Sequence, residues 1–145
     1  MDKNNLEVLK EFNKAIKMGE DSYSLVIEKV KDESFKNLLY KQSNRYEQFL
    51  NNIKSDFDEL NEKPTDTPLQ QKIMGWTSIN LNTLKDNSNS HISEMLIQGA
   101  QMGIIECNKL INTYPNINYS LKSSIKNFLD LQEDVIYELT PYLKK

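Results

Sequence analysis

Apolar residues recur at three- and four-residue spacing along most of the chain, with charged residues between them. The first such stripe consists of Leu6, Leu9, Phe12, Ile16, Gly19, Tyr23, Val26 and Val30. The second consists of Phe35, Leu39, Gln42, Tyr46, Phe49, Ile53, Phe57 and Leu60. Spacing of this kind is typical of one face of an amphipathic α-helix. The pattern therefore predicts a first helix over residues 5–31 and a second that ends before Pro64, with Asp32 as the N-cap between them.

Two further stripes follow in the second half of the chain. One consists of Ile92, Leu96, Gly99, Gly103, Cys107, Leu110 and Tyr114, and the other of Leu121, Ile125, Phe128, Gln132, Val135, Leu139 and Tyr142. Ser90 is predicted to cap the first of these two helices, and Pro115 to end it. A shorter helix is predicted over residues 68–85, because Thr67 before Pro68 is typical of a helix start.

Four long helices predict an all-α four-helix bundle, in a single domain over residues 1–145. A near-absent loop between the first two helices makes them antiparallel neighbours. The connection over residues 62–90 is long enough to run the length of the bundle. If it does, the third long helix lies parallel to the second, which is the crossover topology of ferritin-like folds; if it doubles back, the bundle is up-down-up-down. The length favours the crossover.

The composition excludes several classes of protein. One cysteine, Cys107, excludes an internal disulfide and a cysteine-based zinc cluster, and one histidine, His91, excludes a multi-histidine metal centre within one chain. A net charge of −3 and a pI near 5.3 argue against nucleic acid as a partner. No apolar run approaches the roughly 20 residues of a membrane span, and the first residues do not have the pattern of a signal peptide. We therefore expect a cytoplasmic protein.

Ferritin-like bundles hold two metal ions between their helices, with a Glu from one helix of each pair and a Glu-x-x-His from its partner. Glu20 lies at the edge of the first stripe, near the middle of its helix. The second helix offers Arg45, the one arginine of the chain, at a similar depth, and no Glu-x-x-His. His91 stands at the start of its own helix, and the last helix contains no histidine.

Three interpretations of Glu20 follow: a residual metal ligand, an ion pair with Arg45 across the first hairpin, or a carboxylate that faces solvent. An unpaired buried carboxylate is costly, whereas an arginine donates up to five hydrogen bonds and tolerates partial burial. This favours the ion pair. Gln42 and Gln132, which occupy core positions of their stripes, predict a buried polar layer around it.

Several short motifs also match a known family. They are Gly19-Glu20-Asp21-x-Tyr23, Glu28-Lys29-Val30-Lys31-Asp32, Gly75-Trp76, and a glycine near the centre of the third long helix. With them the chain resembles small uncharacterised bacterial ferritin-like proteins, which implies a four-helix bundle with a helical crossover. The resemblance also implies that Glu20 matches a ferritin ligand, that Arg45 fills the carboxylate position of the second helix, and that Ala100 lies near the position expected for the third-helix Glu.

The sequence is compatible with two functions, and it assigns a catalytic residue to neither. The first is a non-enzymatic, metal-free structural or stress-associated bundle protein without a cofactor. The alternative is a carboxylate-bridged di-iron or di-manganese protein with oxidase or iron-handling activity, whose ligands would be Glu20, Glu47, Glu106 and Glu133. A third class, a bundle that binds a lipid or a partner helix, requires an exposed apolar stripe. The sequence is compatible with a homodimer, and it identifies no other protein as a partner.

Overall fold

A computed structural model of the chain describes residues 3–59, 62 and 86–145. It contains the helices α1 (Lys3–Ile27), α2 (Glu33–Glu59), α3 (Asn89–Thr113) and α4 (Tyr119–Leu139), followed by a short 3-10 helix over Thr140–Tyr142. These four α-helices are the four long helices predicted, and the described part of the chain contains no strand. The all-α bundle is thereby confirmed. The shorter helix predicted over residues 68–85 lies outside the described residues.

The turn between α1 and α2 is formed by local hydrogen bonds. α1 ends at Ile27, earlier than predicted, because the N–H groups of Lys29 and Val30 donate three residues back, to the carbonyls of Val26 and Ile27 (2.9 and 3.1 Å). Such bonds tighten the last turn of a helix and close it. Asp32 then caps α2, since its Oδ1 accepts from the backbone N–H of Phe35 at 3.1 Å. This confirms the predicted N-cap.

α3 begins at a different cap from the one predicted. Ser88 is extended, and its Oγ accepts from the N–H of His91 at 3.2 Å, so Ser88 and not Ser90 is the N-cap. Ser90 lies inside the first turn of α3. Its Oγ accepts from the N–H of Lys144 at 2.8 Å and donates to the Lys144 carbonyl at 3.0 Å. The prediction was wrong because Ser90 fixes the end of the chain to the start of α3.

Contacts between helix ends establish the topology. Asn89 Nδ2, at the start of α3, donates to Asp32 Oδ2, just before α2, at 3.4 Å. The N–H of Asn118, just before α4, donates to Asn5 Oδ1 of α1 at 2.7 Å. α2 and α3 therefore start at one end of the bundle and run parallel, while α1 and α4 start at the other. α2 ends and α3 begins at opposite ends of the bundle, which is the crossover topology of ferritin-like folds.

The predicted stripes form the core. Phe128 of α4 lies at its centre, where its ring meets Phe12 of α1 and Tyr46 and Phe49 of α2 in edge-to-face pairs with centroids 5.5, 5.7 and 5.3 Å apart. Pairs of this geometry contribute about 0.5–1.5 kcal/mol each beyond the burial of their area. One ring on α4 therefore holds α1 and α2 against it.

Candidate functional site

Four polar side chains meet in the interior of the bundle: Tyr23 of α1, Gln42 and Tyr46 of α2, and Gln132 of α4. None is more than 2% exposed. Tyr23 Oη donates to Gln42 Oε1 at 2.8 Å, and Tyr46 Oη donates to Gln132 Oε1 at 3.0 Å. The two tyrosine rings pack with their centroids 5.3 Å apart. We call these four residues the Tyr–Gln layer.

The layer is connected to the surface on the side of α4. Gln42 Nε2 donates to Glu138 Oε1 at 3.0 Å. Beside it, Arg45 Nη2 donates to Asp134 Oδ2 at 2.8 Å, between side chains that are 40% and 55% exposed. The sequence placed Gln42 and Gln132 in a polar layer but assigned it no tyrosine donor. The sequence did contain evidence for the tyrosine donors. Tyr23 and Tyr46 both lie on core stripes, and Tyr46 follows Gln42 by a single helical turn.

The predicted ion pair between Glu20 and Arg45 was wrong. Arg45 lies three residues after Gln42 and is turned toward α4, where Asp134 accepts its hydrogen bond. Glu20 instead accepts from Lys17 Nζ at 3.3 Å, within α1 itself. Glu20 and Arg45 lie at a similar distance from the turn between α1 and α2. The rotation of α2 about its axis nevertheless directs Arg45 away from Glu20.

The four carboxylates of the dinuclear alternative do not meet. Glu47, Glu106 and Glu133 are exposed, and Glu20 is partly buried beside Lys17. Within residues 3–59, 62 and 86–145, no three or more His, Cys, Asp or Glu side chains lie close enough together to hold a metal ion. The groups that do converge inside the bundle are phenols and amides, whereas iron and manganese favour carboxylate and imidazole ligands.

Burial keeps these interior groups uncharged. It raises the pKa of the Tyr23 and Tyr46 hydroxyls well above the ordinary tyrosine value near 10, so both stay protonated even at a pH where an exposed tyrosine ionises. The pKa of the Cys107 thiol is raised to about 12 by burial and, secondly, by the charge of Glu106. A buried protonated thiol is a weak nucleophile and a weak ligand. The donor set of the interior therefore does not fit a dinuclear metal centre.

A cavity of about 310 Å³ opens between α1 and α3, and three members of the Tyr–Gln layer line it: Tyr23, Tyr46 and Gln132. Small residues on both helices leave this space: Ala15, Gly19, Gly99, Ala100 and Gly103. Gly19 is needed for close packing, since a Cβ there would lie 2.5 Å from Cε1 of Tyr46. Gln132 also lines the cavity, and its Nε2 is buried without a hydrogen-bond partner among the described residues. We call this space the α1–α3 cavity.

The fold and its relatives define the class of the protein. The structure is similar to that of a mutant of Dps1 from Mycobacterium smegmatis, with a TM-score of 0.73 and 13% sequence identity over 99% of each chain. At that identity the likeness shows the fold, a ferritin-like four-helix bundle. Residues 4–113 match the family described as a domain of unknown function, DUF2383, and the chain belongs to this family. A search of curated proteins finds no significant match.

None of the described helices combines the length and the apolar character that crossing a membrane requires.

Proposed function

We propose that this chain is a ferritin-like bundle protein in which the Tyr–Gln layer replaces a dinuclear metal site, and that it acts as a non-enzymatic, metal-free structural or stress-associated protein. The observation that carries the proposal is the pairing of four neutral, buried side chains with one another in the bundle interior. The similarity to the structure of a Dps protein supports the ferritin-like fold on which the proposal rests.

The chemistry of the layer supports the metal-free part of the proposal. A site for two divalent cations needs several ionised carboxylates that converge, because these supply both the ligands and the compensating charge. The Tyr–Gln layer supplies hydroxyl and amide groups, and both amide oxygens already accept hydrogen bonds from the tyrosine hydroxyls. Buried hydrogen bonds of this kind hold helices in register and favour one packing arrangement.

Elemental analysis tests the proposal. The protein is purified without chelator from cells grown with added iron and manganese, alongside Glu20→Gln and a matched control, Glu28→Gln, which changes an exposed carboxylate in the turn between α1 and α2. We expect far less than one equivalent of iron or manganese per chain in all three proteins. One or more equivalents in the wild-type protein would contradict the metal-free proposal. Loss of that metal in Glu20→Gln, but not in Glu28→Gln, would support the dinuclear alternative.

A further inference from the structure

The α1–α3 cavity opens on a face of the bundle that carries exposed apolar side chains. Met18 of α1 and Met102 of α3 both line the cavity. Met102 and Ile105, one turn apart on α3, are 41% and 48% exposed. Contiguous exposed apolar surface is typical of a contact with another protein, and methionine adapts its shape readily to a partner. We call the outer sides of α1 and α3 around the cavity the α1–α3 face.

The lining of the cavity gives the register of the two antiparallel helices. It extends from Glu11 to Tyr23 on α1 and from Leu96 to Leu110 on α3. Glu11 and Leu110 therefore lie at one end of the cavity, and Tyr23 and Leu96 lie at the other. Residues at the same distance from these ends share a level along the bundle.

Charges of opposite sign share levels on the two sides of the α1–α3 face. On α1, Lys14 follows Glu11 by one turn, with Nζ and Oε1 3.2 Å apart. On α3, Lys109 follows Glu106 by one turn, with Nζ and Oε1 3.6 Å apart. Because the helices run in opposite directions, Glu11 shares its level with Lys109, and Lys14 shares its level with Glu106. All four side chains are substantially exposed, between 43% and 68%.

The apolar residues of this face are matched in the same way. Met18 lies seven residues beyond Glu11, and Met102 lies eight residues before Leu110. The two methionines therefore also share a level. Each level of α1 thus carries a residue that suits the residue of α3 at the same level: an acid beside a base, a base beside an acid, and an apolar side chain beside another.

This arrangement makes the face complementary to a second copy of itself. A two-fold axis parallel to the helices keeps every residue at its own level and places α1 of one copy against α3 of the other. Lys14 of one copy then meets Glu106 of the second copy, and Met18 meets Met102. The symmetry repeats each of these contacts, so one complementary pair of helices gives two equal contacts.

We propose that the α1–α3 face binds a second copy of this chain, in a homodimer whose two-fold axis is parallel to the helices. The Met18 and Met102 side chains of both copies close the two cavities, and the alternating charges pair beside them. The inference goes beyond the function proposed above, because it assigns a partner to a surface which that proposal does not use. Its test does not depend on the metal content of the protein.

Charge reversal on each side of the face tests the dimer. Lys14→Glu places two acids opposite each other at both contacts, and Glu106→Lys places two bases there. We expect the wild-type protein to dimerise in sedimentation equilibrium at micromolar concentration. Each variant alone should have a dimer dissociation constant raised at least tenfold, because like charges replace both attractive contacts. An equimolar mixture of the two variants should recover the wild-type constant to within about threefold, since every acid then meets a base.

Controls separate the contact from general effects of charge and hydrophobicity. Lys41→Glu reverses an exposed charge of α2, outside the α1–α3 face, and should leave the dissociation constant unchanged. Met102→Ser should raise it at least tenfold, whereas Tyr40→Ser, at a 51% exposed position of α2, should not. Circular dichroism verifies that each variant is folded.

Three results would overturn the proposal. The first is a wild-type protein that stays monomeric throughout the micromolar range, which would leave the cavity to a different occupant. The second is a pair of folded charge-reversal variants that dimerise as well as the wild-type protein. The third is a mixture of the two variants that remains monomeric, as expected if α1 packs against α1 of the second copy.

Discussion

Tyr46 of α2 donates its hydroxyl to Gln132 of α4 at 3.0 Å, and this bond joins residues that are 86 positions apart in the sequence. Both side chains are buried, so neither exchanges the bond for water. The same tyrosine packs against Gly19 of α1 on its other side. Tyr46 of α2 therefore contacts both α1 and α4. Four predictions concern this residue or its neighbours.

Removal of the Tyr46 hydroxyl should destabilise the protein. Tyr46→Phe keeps the ring but leaves Gln132 Oε1 without its hydrogen bond, on an amide whose Nε2 has no partner in the described ranges 3–59, 62 and 86–145. Loss of one partner of a buried hydrogen bond costs about 1–3 kcal/mol. We expect a decrease of this size in the free energy of unfolding, measured by urea denaturation.

Tyr40→Phe is the matched control for this change. Tyr40 lies on the same helix but is 51% exposed, so loss of its hydroxyl should change the free energy of unfolding by less than about 0.5 kcal/mol. Equal stabilities of the Tyr40→Phe and Tyr46→Phe proteins would show that the layer contributes nothing to stability.

Gly19→Ala should also destabilise the protein, although alanine is the better helix former. The helix preference favours alanine by about 1 kcal/mol. The new methyl group, however, would lie 2.5 Å from Cε1 of a Tyr46 ring that is packed against Tyr23 and Phe128, and overpacking of a core costs about 1–3 kcal/mol or more. Because the contact is so short, we take the overpacking cost at about 2–3 kcal/mol, which leaves a net loss of about 1–2 kcal/mol in urea denaturation.

The cause of that loss is identified by a double-mutant cycle. In a Tyr46→Leu background the aromatic ring is gone, so Gly19→Ala should become neutral or stabilising. An equal cost of Gly19→Ala in both backgrounds would mean that the ring does not oppose the methyl group.

Alkaline pH should weaken the fold through the two buried tyrosines. Burial holds the pKa of Tyr23 and Tyr46 well above the value near 10 that they have in the unfolded chain. Above pH 10 the unfolded state therefore binds fewer protons than the folded state, so the free energy of unfolding decreases as the pH rises. Below pH 10 the contribution of both groups is fully present. Each tyrosine accounts for up to about 1.4 kcal/mol per pH unit.

The measurement is urea denaturation between pH 9 and pH 12 for the wild-type and Tyr46→Phe proteins. The wild-type stability should decrease more steeply than that of the variant, because the variant has lost one of the two buried tyrosines whose pKa is raised. Parallel curves would contradict a raised pKa at Tyr46.

The ion pair that the structure forms should be weak and sensitive to salt. Arg45 and Asp134 lie at the surface, where such pairs contribute about 0–1 kcal/mol and are screened by ions. A double-mutant cycle with Arg45→Met and Asp134→Asn should give a coupling of that size at low salt and a smaller one at 1 M salt. The cycle with Arg45→Met and Glu20→Gln should give none, and a clear coupling there would restore the pair that the sequence suggested.

The helices could be predicted from sequence because one face of each is buried, so apolar residues recur at the three- and four-residue spacing of an α-helix. Asp32 was recognisable as a cap for the same local reason. Ser90 was not distinguishable from Ser88, since both can cap a helix and the choice depends on a contact between Ser90 and Lys144, far along the chain.

The candidate site was predictable only in part. Gln42 and Gln132 stand out because amides are rare on apolar stripes, which places them in the core. Their partners depend on how α2 is rotated about its axis, and this rotation turns Arg45 to Asp134 and leaves Tyr46 facing Gln132. Sequence spacing gives depth along a helix pair more readily than it gives that angle.

Anomalous X-ray diffraction is the decisive measurement of whether the bundle interior holds a metal. Crystals are grown with excess manganese and, separately, with ferrous iron under nitrogen, and data are collected at the absorption edge of each metal. We expect no anomalous density inside the bundle, with Tyr46 still bonded to Gln132. Two peaks roughly 3.5–4 Å apart between the helices, the spacing of two-metal sites, would contradict it.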